Sequence, residues 1–371
     1  MIRYHNPENR RCLFFMIPTL GNGGAERVMI NLANHLVQYH KVVLIALNDT
    51  QPAYPIDERV DVHYLIKQRD ESQSTRLYYA WLTFYKLMRL ILMEKPYKVI
   101  SFITSANFWT GVICFFTNTP YIVSERTSPQ RSVGSCSGWQ KSLLAYLYKK
   151  ANAVVVSAAN VGQCLANIAQ FKKLDNLHQI PNAVTQFPTA TTKPVHPRKF
   201  ILGVGRLAKV KGFDILIDAF ALLHNPDIDL LIVGDGEERE KLEAQCNSLG
   251  LYGRIFFTGA KNNIQDYYAQ AEVFVLPSRN EGYPNALIEA MSFGCACVAV
   301  DCDFGPREII KNGHNGLLVP QNNVDALASS MNGILNNRAF KEELQFNATQ
   351  INYTNSPGYI TSLWEQTIFQ N

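Results

Sequence analysis

Short apolar runs rich in β-branched residues alternate with helix-like patterns in two series along the 371-residue chain, and this alternation limits the possible folds most strongly. The first series is CLFFMIP (12–18), KVVLIAL (41–47), YKVISFI (97–103), YIVSE (121–125) and AVVVSA (153–158). The second is FILGVGR (200–206), LLIVGDG (230–236), RIFFTG (254–259), VFVLPS (273–278) and CACVAVD (295–301). Continuous apolar strands separated by helices are typical of parallel sheets covered on both faces. The two series therefore predict two doubly wound α/β domains.

A segment without apolar periodicity separates the two series. Residues 183–199, AVTQFPTATTKPVHPRK, are rich in Thr and Pro, which is typical of a linker. We predict an N-terminal Rossmann-like domain over 1–183, a linker over 184–198 and a C-terminal Rossmann-like domain over 199–354. A chain of this length is too long for a single core. Residues 355–371 show a short helical pattern that could pack on either domain or across a cleft between them.

Charge is distributed unevenly along the chain. Residues 1–183 hold 20 Lys/Arg against 11 Asp/Glu, whereas residues 184–371 hold 15 against 20. The basic half predicts contact with nucleic acid, phosphate or a membrane surface. No recognised module or basic run supports nucleic acid. The eight cysteines form no zinc or C-x-x-C motif and MIRYHNPENRR is no signal peptide, which favours a reduced, cytoplasmic protein.

The most apolar stretch is LYYAWLTFYKLMRLILM at 77–93. Lys86 and Arg89 interrupt it, and it is short for a membrane span. One interpretation is a buried or half-buried helix. The other is a helix on a membrane surface, because aromatic and basic residues occur together there and again in KSLLAYLYKK at 141–150.

A glycine-rich loop, TLGNGGAERV, follows the first predicted strand and opens a helix. Gly21, Gly23 and Gly24 would let backbone amides approach an anion at the positive end of that helix. The alternative is a tight turn that requires positive φ. The loop matches neither a P-loop nor a dinucleotide fingerprint.

Two cations mark the loop that follows the first strand of the second series, GVGRLAKVKGFDILIDAF at 203–220. Its glycines resemble a dinucleotide turn, but no acidic residue closes a strand at the ribose position. Arg206 and Lys211 suit a diphosphate, Arg as a planar fork and Lys as a point charge. The alternative is that both are solvated surface cations.

Two carboxylates eight positions apart, Glu281 and Glu289, occur in RNEGYPNALIEAM at 279–291. Pro284 is suited to the first turn of a helix, so we predict a helix over 284–293 with Gly294 as its C-terminal cap. Its free amides, around 285–287, would bind a phosphate.

The two carboxylates would then lie on either side of that phosphate. Ionised carboxylates accept hydrogen bonds from several hydroxyls, which suits a nucleotide-sugar with its sugar on Glu281 and its ribose on Glu289. The alternative is that Glu281 stabilises the helix dipole and Glu289 is an exposed surface charge.

The order and spacing of these segments resemble the retaining glycosyltransferases of the GT-B type, family four, which add sugars to bacterial lipid-linked oligosaccharides, O-antigens and capsules. The resemblance rests on GNGGAERV, GVGRLAKVKGFDILIDAF, LLIVGDGEEREKLEAQCNSLG and VFVLPSRNEGYPNALIEAMSFGCACVAVD, and it covers nearly the whole chain. It implies two Rossmann-like domains that face a central cleft.

The resemblance also implies roles for individual residues. Arg206 and Lys211 would neutralise the leaving diphosphate, and Glu281 would hold the transferred sugar; these three are the expected catalytic residues. The expected donor-binding residues are Gly23, Gly24, Arg206, Lys211, Lys261, Ile264, Glu281, Gly282, Tyr283, Pro284, Asn285, Ala286, Leu287 and Glu289. No metal or other cofactor is expected, because Arg and Lys supply the electrostatic stabilisation. The departing phosphate would help to deprotonate the acceptor, with retention of configuration.

One residue departs from the family pattern. Many relatives carry His after Ser-Glu at the strand resembling YIVSERTSP (121–129), where this chain has Arg126. Arg stays charged and cannot act as a base. We expect Asn22, Glu125 and Arg126 to contact the acceptor, or Arg126 to bind its pyrophosphate.

The resulting prediction is a hexosyltransferase that moves a hexose or N-acetylhexosamine from a UDP-sugar to a polyprenyl-diphosphate-linked saccharide. It would work on the inner face of the plasma membrane as a peripheral protein. The alternative is a UDP-sugar epimerase or hydrolase on the same two-domain frame. A glycosidase that uses Glu281 and Glu289 has no need of Arg206 and Lys211.

Overall fold

The computed structural model describes residues 10–67 and 75–370, which form two compact units. Unit 1 extends to Pro181 and takes up the chain again at Ile360, and unit 2 is Asn182–Tyr359. Residues 180–198, which include the predicted linker, contain no helix or strand. Residues 1–9, which make up most of the segment that we predicted not to be a signal peptide, lie outside the described part.

Unit 1 contains a seven-stranded parallel sheet. Its strands are β1 (Cys12–Ile17), β2 (Lys41–Asn48), β3 (Asp61–Ile66), β4 (Lys98–Phe102), β5 (Tyr121–Glu125), β6 (Ala153–Val156) and β7 (Leu177–Gln179). Its helices up to Pro181 are α1 (Gly24–Leu36), α2 (Arg76–Glu94), α3 (Thr104–Thr117), α4 (Pro129–Ser132), α5 (Gly138–Lys150) and α6 (Ala159–Asn167). The strand order is β3-β2-β1-β4-β5-β6-β7, so the chain winds outward from β1 in both directions.

Helices bury the apolar strands of unit 1. Every residue of β4, β5 and β6 is buried. Phe14 and Met16 of β1 belong to one core cluster with Leu87 and Ile91 of α2. Burial of whole strands, rather than of alternate residues, is what a doubly covered parallel sheet requires.

Unit 2 repeats this architecture with a six-stranded parallel sheet in the order β10-β9-β8-β11-β12-β13. Its strands are β8 (Lys199–Val204), β9 (Ile228–Val233), β10 (Ile255–Gly259), β11 (Val273–Leu276), β12 (Cys297–Val300) and β13 (Leu317–Val319). Its helices are α7 (Phe213–Ala221), α8 (Arg239–Ser248), α9 (Ile264–Gln270), α10 (Asn285–Ser292), α11 (Pro306–Ile309), α12 (Val324–Asn336), α13 (Arg338–Ala348) and α14 (Ile351–Thr354). Successive residues of β8 enter different cores: Ile201 one, and Phe200 and Leu202 the other. Both faces of the sheet are therefore covered.

The last helix, α15 (Pro357–Phe369), belongs to unit 1 from Ile360 onward. Trp364 is buried and stacks on Phe102 at the end of β4, with ring centroids 5.4 Å apart. Phe369 packs against His40 at 4.8 Å. The tail helix therefore packs on the first sheet.

The prediction of two doubly wound α/β domains is confirmed, and each of the ten predicted strands is present. Apolar runs do not predict β3, β7 or β13, three edge strands that are only partly buried and therefore place weaker demands on composition. The apolar stretch at 77–93 forms α2, which is half-buried. No helix within residues 10–67 and 75–370 combines the length and hydropathy needed to cross a membrane.

Candidate active site

Three loops of unit 2 carry most of the predicted donor residues, and they follow β8, β10 and β11. The three strands are parallel members of one sheet, so the loops leave it at the same edge. Arg206 and Lys211 lie in the first loop, Lys261 in the second and Glu281 in the third. Ligands of open α/β sheets bind at the carboxyl ends of strands, which makes this edge the candidate site.

Lys211 and Glu281 form an ion pair that joins two of these loops. The Lys211 Nζ lies 2.7 Å from Glu281 Oε1, and the side chains are 28% and 9% exposed. The alternative of a solvated surface cation is therefore wrong for Lys211. Arg206 is exposed, and its side chain has no hydrogen-bond or ion-pair partner in the described part of the chain. Lys211 is thus a paired cation, and Arg206 is a cation accessible to solvent.

The backbones of the same two loops touch at Gly212. Its φ is 70°, and a Cβ atom there would lie 2.1 Å from the carbonyl oxygen of Pro277. Only glycine fits both the left-handed conformation and this close approach. Gly212 therefore lets the chain turn into α7 directly after Lys211 while it remains against the loop of Glu281.

Helix α10 begins at Asn285, one residue later than predicted, with Pro284 as its N-cap. It ends at Ser292, followed by Phe293 as C-cap and by Gly294 with φ 74°. The N–H of Leu287 donates to the carbonyl oxygen of Pro284 at 3.2 Å, which removes it from the predicted cluster of free amides. Gly282 and Tyr283 form the turn between Glu281 and this helix start.

Two buried asparagines that the sequence reasoning missed hold the start of α10. Asn182 donates to the carbonyl oxygen of Tyr283 at 3.2 Å and to Asn285 Oδ1 at 2.7 Å. Asn355 donates to the carbonyl oxygen of Asn182 and to the hydroxyl of Tyr283, both at 2.8 Å. Neither asparagine belongs to a motif, and they are far apart in sequence, so only the folded chain relates them.

Glu289 is enclosed by unit 2 rather than exposed on its helix. The side chain is 3% exposed. Its Oε1 accepts from the Thr185 hydroxyl at 2.9 Å, and its Oε2 accepts from the Tyr268 hydroxyl at 3.1 Å. The alternative of an exposed surface charge is therefore wrong. A ribose contact stays a prediction, and it requires hydroxyls that join or replace these two donors.

The family resemblance implies that backbone groups near Lys261 and Ile264 contact the base of the donor, and their segment leads from β10 into α9. Lys261 is exposed in this loop, and Ile264 is the first residue of α9, half-buried against the second core of unit 2. Contact with a base stays a prediction. Both residues do lie at the sheet edge that carries Arg206 and Glu281.

The glycine loop of unit 1 leads from β1 into α1, with Gly23 as the N-cap. None of Gly21, Gly23 and Gly24 has positive φ, so the alternative of a strained tight turn is wrong. A Cβ atom at Gly23 would lie 2.1 Å from a carboxylate oxygen of Glu26, whose pKa burial raises. The loop's own carboxylate thus lies where a phosphate was expected, and the phosphate contact stays a prediction.

Glu125 is completely buried in unit 1. Both of its carboxylate oxygens accept from the Thr104 hydroxyl at 3.0 Å, and one also accepts from Asn107 Nδ2 at 3.1 Å and from the Tyr148 hydroxyl. Burial raises its pKa. Every contact described for Glu125 is internal, so its predicted acceptor contact stays a prediction without structural support.

Arg126 lies in the same interior, 7% exposed. Its Nε donates to Ser124 Oγ at 2.9 Å, and its guanidinium carbon lies 4.7 Å from the Phe102 ring and 5.2 Å from the Trp364 ring. Burial lowers its pKa to about 9, so it remains charged at neutral pH. These contacts explain an arginine here by packing against α15, and a pyrophosphate contact stays a prediction. Asn22 is exposed, and its carbonyl oxygen accepts from the Tyr54 hydroxyl at 3.1 Å.

The β8 loop, with the first turn of α7, and the β11 loop together have an excess of positive charge. Lys209 and Arg279 add two cations to Arg206 and Lys211, against the carboxylates of Asp214 and Glu281. Such a set attracts an anion with two or more negative charges and offers a carboxylate to neighbouring hydroxyls. Within the described ranges, no three His, Cys, Asp or Glu side chains are grouped as a metal site.

Comparison with known families finds a matching glycosyltransferase family for each half of the chain. The family described as Glycosyltransferase Family 4 matches residues 22–185, and the family described as Glycosyl transferases group 1 matches residues 189–351. An uncharacterized glycosyltransferase of Haemophilus influenzae is 28% identical over 332 residues, which cover 87% of this chain and 90% of that protein.

A Campylobacter jejuni N-acetylgalactosamine-N,N'-diacetylbacillosaminyl-diphospho-undecaprenol 4-alpha-N-acetylgalactosaminyltransferase is 30% identical over 333 residues, covering 87% of this chain and 90% of that one. Among solved structures, Anabaena HepE in complex with UDP has a TM-score of 0.79 at 19% identity, covering 96% of this chain and 99% of that one. HepE with UDP-glucose has a TM-score of 0.80 at 18% identity, with coverages of 97% and 99%. These likenesses establish the GT-B fold, and the chain belongs to the family-four, group 1 glycosyltransferases.

Proposed function

We propose that this glycosyltransferase moves a hexose or an N-acetylhexosamine from a UDP-sugar to a lipid-diphosphate-linked saccharide, in the synthesis of a bacterial surface polysaccharide or glycan. The observation that carries the proposal is the Lys211–Glu281 pair beside the accessible Arg206, at the carboxyl edge of the second sheet. This arrangement supplies cations for a diphosphate and a carboxylate for sugar hydroxyls at adjacent positions.

The donor assignment draws support from proteins of the same fold. Anabaena HepE has been solved with UDP, with UDP and glucose, and with UDP-glucose. The positive charge of the β8 and β11 loops is opposite to the charge of a nucleoside diphosphate. Arg206 and Lys211 would stabilise the charge that develops on the leaving UDP, so that no metal ion or cofactor is required.

The proposed reaction retains the anomeric configuration. The acceptor hydroxyl oxygen forms a bond to the anomeric carbon while the bond from that carbon to the β-phosphate oxygen breaks. The electron pair of the broken bond goes to the phosphate, which also receives the acceptor proton. Arg126 takes no part in this proton transfer, because it is buried and charged.

The acceptor assignment draws support from the names of two relatives. One is the Campylobacter jejuni transferase described above, which is 30% identical to this chain. The other, from the same organism and 28% identical, is named GalNAc-alpha-(1->4)-GalNAc-alpha-(1->3)-diNAcBac-PP-undecaprenol alpha-1,4-N-acetyl-D-galactosaminyltransferase. Both names describe sugars linked to undecaprenol through a diphosphate. A polyprenyl chain is held in a bilayer, so we propose that the enzyme works as a peripheral protein on the inner, cytoplasmic face of the plasma membrane. The positive charge of residues 1–183 supports an anionic surface as the partner.

One surface of unit 1 suits such a bilayer, and we call it the aromatic face. It consists of apolar side chains on α2, α3 and α5, namely Leu77, Tyr78, Trp81, Tyr85, Phe115, Phe116 and Tyr146, each at least 45% exposed. The Trp81 and Tyr85 rings stack at 5.5 Å, and the Phe115 and Tyr146 rings meet at 5.8 Å. Aromatic rings accompanied by cations are typical of surfaces that lie at a membrane interface.

A donor panel tests the proposal. We expect one UDP-sugar, but no GDP-sugar, to raise the unfolding temperature of the 371-residue chain, because a bound ligand stabilises the native state. Transfer to a polyprenyl-diphosphate-linked saccharide should then be seen with the same donor. Uncoupled hydrolysis or C2 inversion as the main activity would support the epimerase or hydrolase alternative instead.

A further inference from the structure

Arg279 lies in the β11 loop with Glu281, and it bonds to the β8 loop in several ways. Its backbone N–H donates to the carbonyl oxygen of Val210 at 2.8 Å. Its Nη1 donates to the carbonyl oxygen of Lys209, also at 2.8 Å. Arg279 is two residues before Glu281, and Lys209 is two residues before Lys211. The residues joined by these contacts are thus close in sequence to the two members of the Lys211–Glu281 pair.

The guanidinium of Arg279 also forms an ion pair with Asp214 in the first turn of α7. Its two terminal nitrogens each donate to a different carboxylate oxygen of Asp214 at 2.7 Å. Lys209 adds a third donor to this carboxylate at 2.9 Å. Burial opposes ionisation of Asp214, but these donors outweigh it and lower its pKa to about 2. The Arg279–Asp214 pair is therefore fully charged at neutral pH.

We propose that the Arg279–Asp214 ion pair is a positioning pair, which fixes the loop of Lys211 against the loop of Glu281 so that the ammonium and the carboxylate face one ligand. The inference rests on the proposed donor role of Lys211 and Glu281. Neither Arg279 nor Asp214 needs to touch the donor.

The geometry is what distinguishes this pair from ordinary surface ion pairs, which contribute little. A bidentate contact between two planar groups sets an orientation as well as a distance. The backbone bond to Val210 and the Gly212–Pro277 contact hold the same loops from either side. The far side of the Arg279 segment is held as well, because Gln321 Nε2 donates to its carbonyl oxygen at 2.8 Å. A shift of Lys211 relative to Glu281 therefore requires the Arg279 contacts to break.

Truncation of either member of the pair should lower kcat/KM for the donor more than it lowers the stability of the protein. We expect Arg279→Ala to lower kcat/KM by about 10- to 100-fold, because a displacement of about 1 Å in a reacting site has effects of this size. Arg279→Lys should fall between wild type and Arg279→Ala, because lysine keeps the charge but cannot form the fork. Arg338→Ala is the control: it removes the 2.7 Å pair with Glu342 on α13 and should leave kcat/KM unchanged.

A double-mutant cycle separates positioning from general destabilisation. If Arg279 acts through Lys211, the Arg279→Ala/Lys211→Ala double variant should bind UDP no more weakly than Lys211→Ala alone. Independent effects would instead add. UDP titration calorimetry of wild type, both single variants and the double variant measures the coupling, and thermal unfolding shows whether each variant is folded. Asp214→Asn replaces Arg279→Ala in the cycle if the latter does not fold.

The outcomes are distinguishable. Additive losses of UDP affinity, or wild-type UDP affinity in Arg279→Ala beside a loss in Lys211→Ala, would overturn the positioning role while the donor site stands. A wild-type chain that binds no UDP would overturn the proposed function, and this inference with it. Non-additive losses, with the Arg338→Ala control unchanged, support the positioning pair.

Discussion

The Lys211 ammonium is the single group on which the proposed chemistry depends most, because it has two possible partners. It contacts the Glu281 carboxylate at 2.7 Å, and in the proposed complex it also faces the diphosphate of the donor. A cation paired with a carboxylate holds that carboxylate in one orientation before the sugar arrives. The effects of substitutions at the two positions should therefore differ in kind.

Glu281→Ala should abolish transfer while UDP affinity is kept, because the sugar loses its carboxylate but the diphosphate keeps Lys211 and Arg206. The measurement is turnover with the active UDP-sugar, together with calorimetric titration of UDP. Glu342→Gln, at an exposed position of α13, serves as the control. Unchanged turnover in Glu281→Ala would contradict the assignment of this residue.

Arg206→Ala and Lys211→Ala should each weaken UDP binding and raise the barrier to transfer by up to about 2.7–4 kcal/mol, the range for one lost electrostatic stabiliser. Lys241→Ala is a matched control, because Lys241 also forms a 2.7 Å pair with a glutamate, Glu238, in the same unit. Calorimetric titration of UDP and single-turnover rates measure both effects. Wild-type UDP affinity in both variants would rule out diphosphate contact.

Glu125 should make the stability of unit 1 depend on pH. Burial raises its pKa, so the folded state holds the proton more tightly than the unfolded chain. Its contribution to stability is then fully present below the unfolded pKa and is lost as the pH rises through the folded pKa. In Glu125→Gln this loss is absent, so the variant should gain stability relative to wild type as the pH rises from about 5 to about 8.

Urea unfolding of both proteins across this pH series, followed by near-UV signals, measures the difference. Glu342→Gln makes the same substitution at an exposed glutamate of unit 2 and serves as the control. A difference between Glu125→Gln and wild type that stays constant, or that shrinks with rising pH, would contradict the raised pKa.

At the scale of elements, the close contact between the β8 and β11 loops decides where the candidate residues lie. Gly212→Ala would push a methyl group against the Pro277 carbonyl oxygen, because the added carbon would lie only 2.1 Å from that oxygen. We expect lower stability and weaker UDP binding, because the loop of Lys211 must move away from Glu281.

Gly250→Ala is the matched control for this substitution. Its φ is 69°, almost equal to the 70° of Gly212, but a Cβ atom there meets nothing within 4 Å. Backbone strain is thus similar in the two variants, of the order of 1 kcal/mol, and only Gly212→Ala adds the clash. Equal losses of UDP affinity and melting temperature in the two variants would show that the loop contact does not matter.

At the scale of the whole molecule, the two units differ in the surfaces they present. Unit 1 carries the aromatic face and the basic excess, and unit 2 carries the candidate donor loops. If the aromatic face binds lipid, the Trp81→Ala/Tyr85→Ala variant should lose binding to vesicles that contain phosphatidylglycerol. Its UDP affinity should not change, because neither Trp81 nor Tyr85 is among the expected donor-binding residues.

Flotation of the protein with vesicles of phosphatidylcholine alone, and with added phosphatidylglycerol, measures this binding. Tyr252→Ala is the control, because Tyr252 is 89% exposed but lies in unit 2. Binding by the variant equal to that of wild type would exclude the aromatic face as the lipid contact, and failure of the wild type to float would exclude the membrane proposal.

The sequence by itself determined the class of fold and the loops that matter. Continuous apolar strands need cover on both faces wherever they occur, so β4, β5, β8 and β11 can be read directly from composition. The glycines and charged residues that follow strands can be located in the same way, because strand ends are where a parallel sheet exposes its loops. The edge strands β3 and β7 cannot be predicted from composition in this way, because their partial burial allows more polar residues.

Only the tertiary structure decided which of the charged residues meet and which are enclosed. Lys211 and Glu281 are 70 positions apart, and Asn182 and Asn355 act on one helix start from opposite ends of unit 2. Glu125, Arg126 and Glu289 look alike as polar residues near strand ends or in a helix, yet the fold buries all three among specific partners. Hydrogen-bond partners and solvent access depend on contacts between distant parts of the chain, and no local pattern of residues contains them.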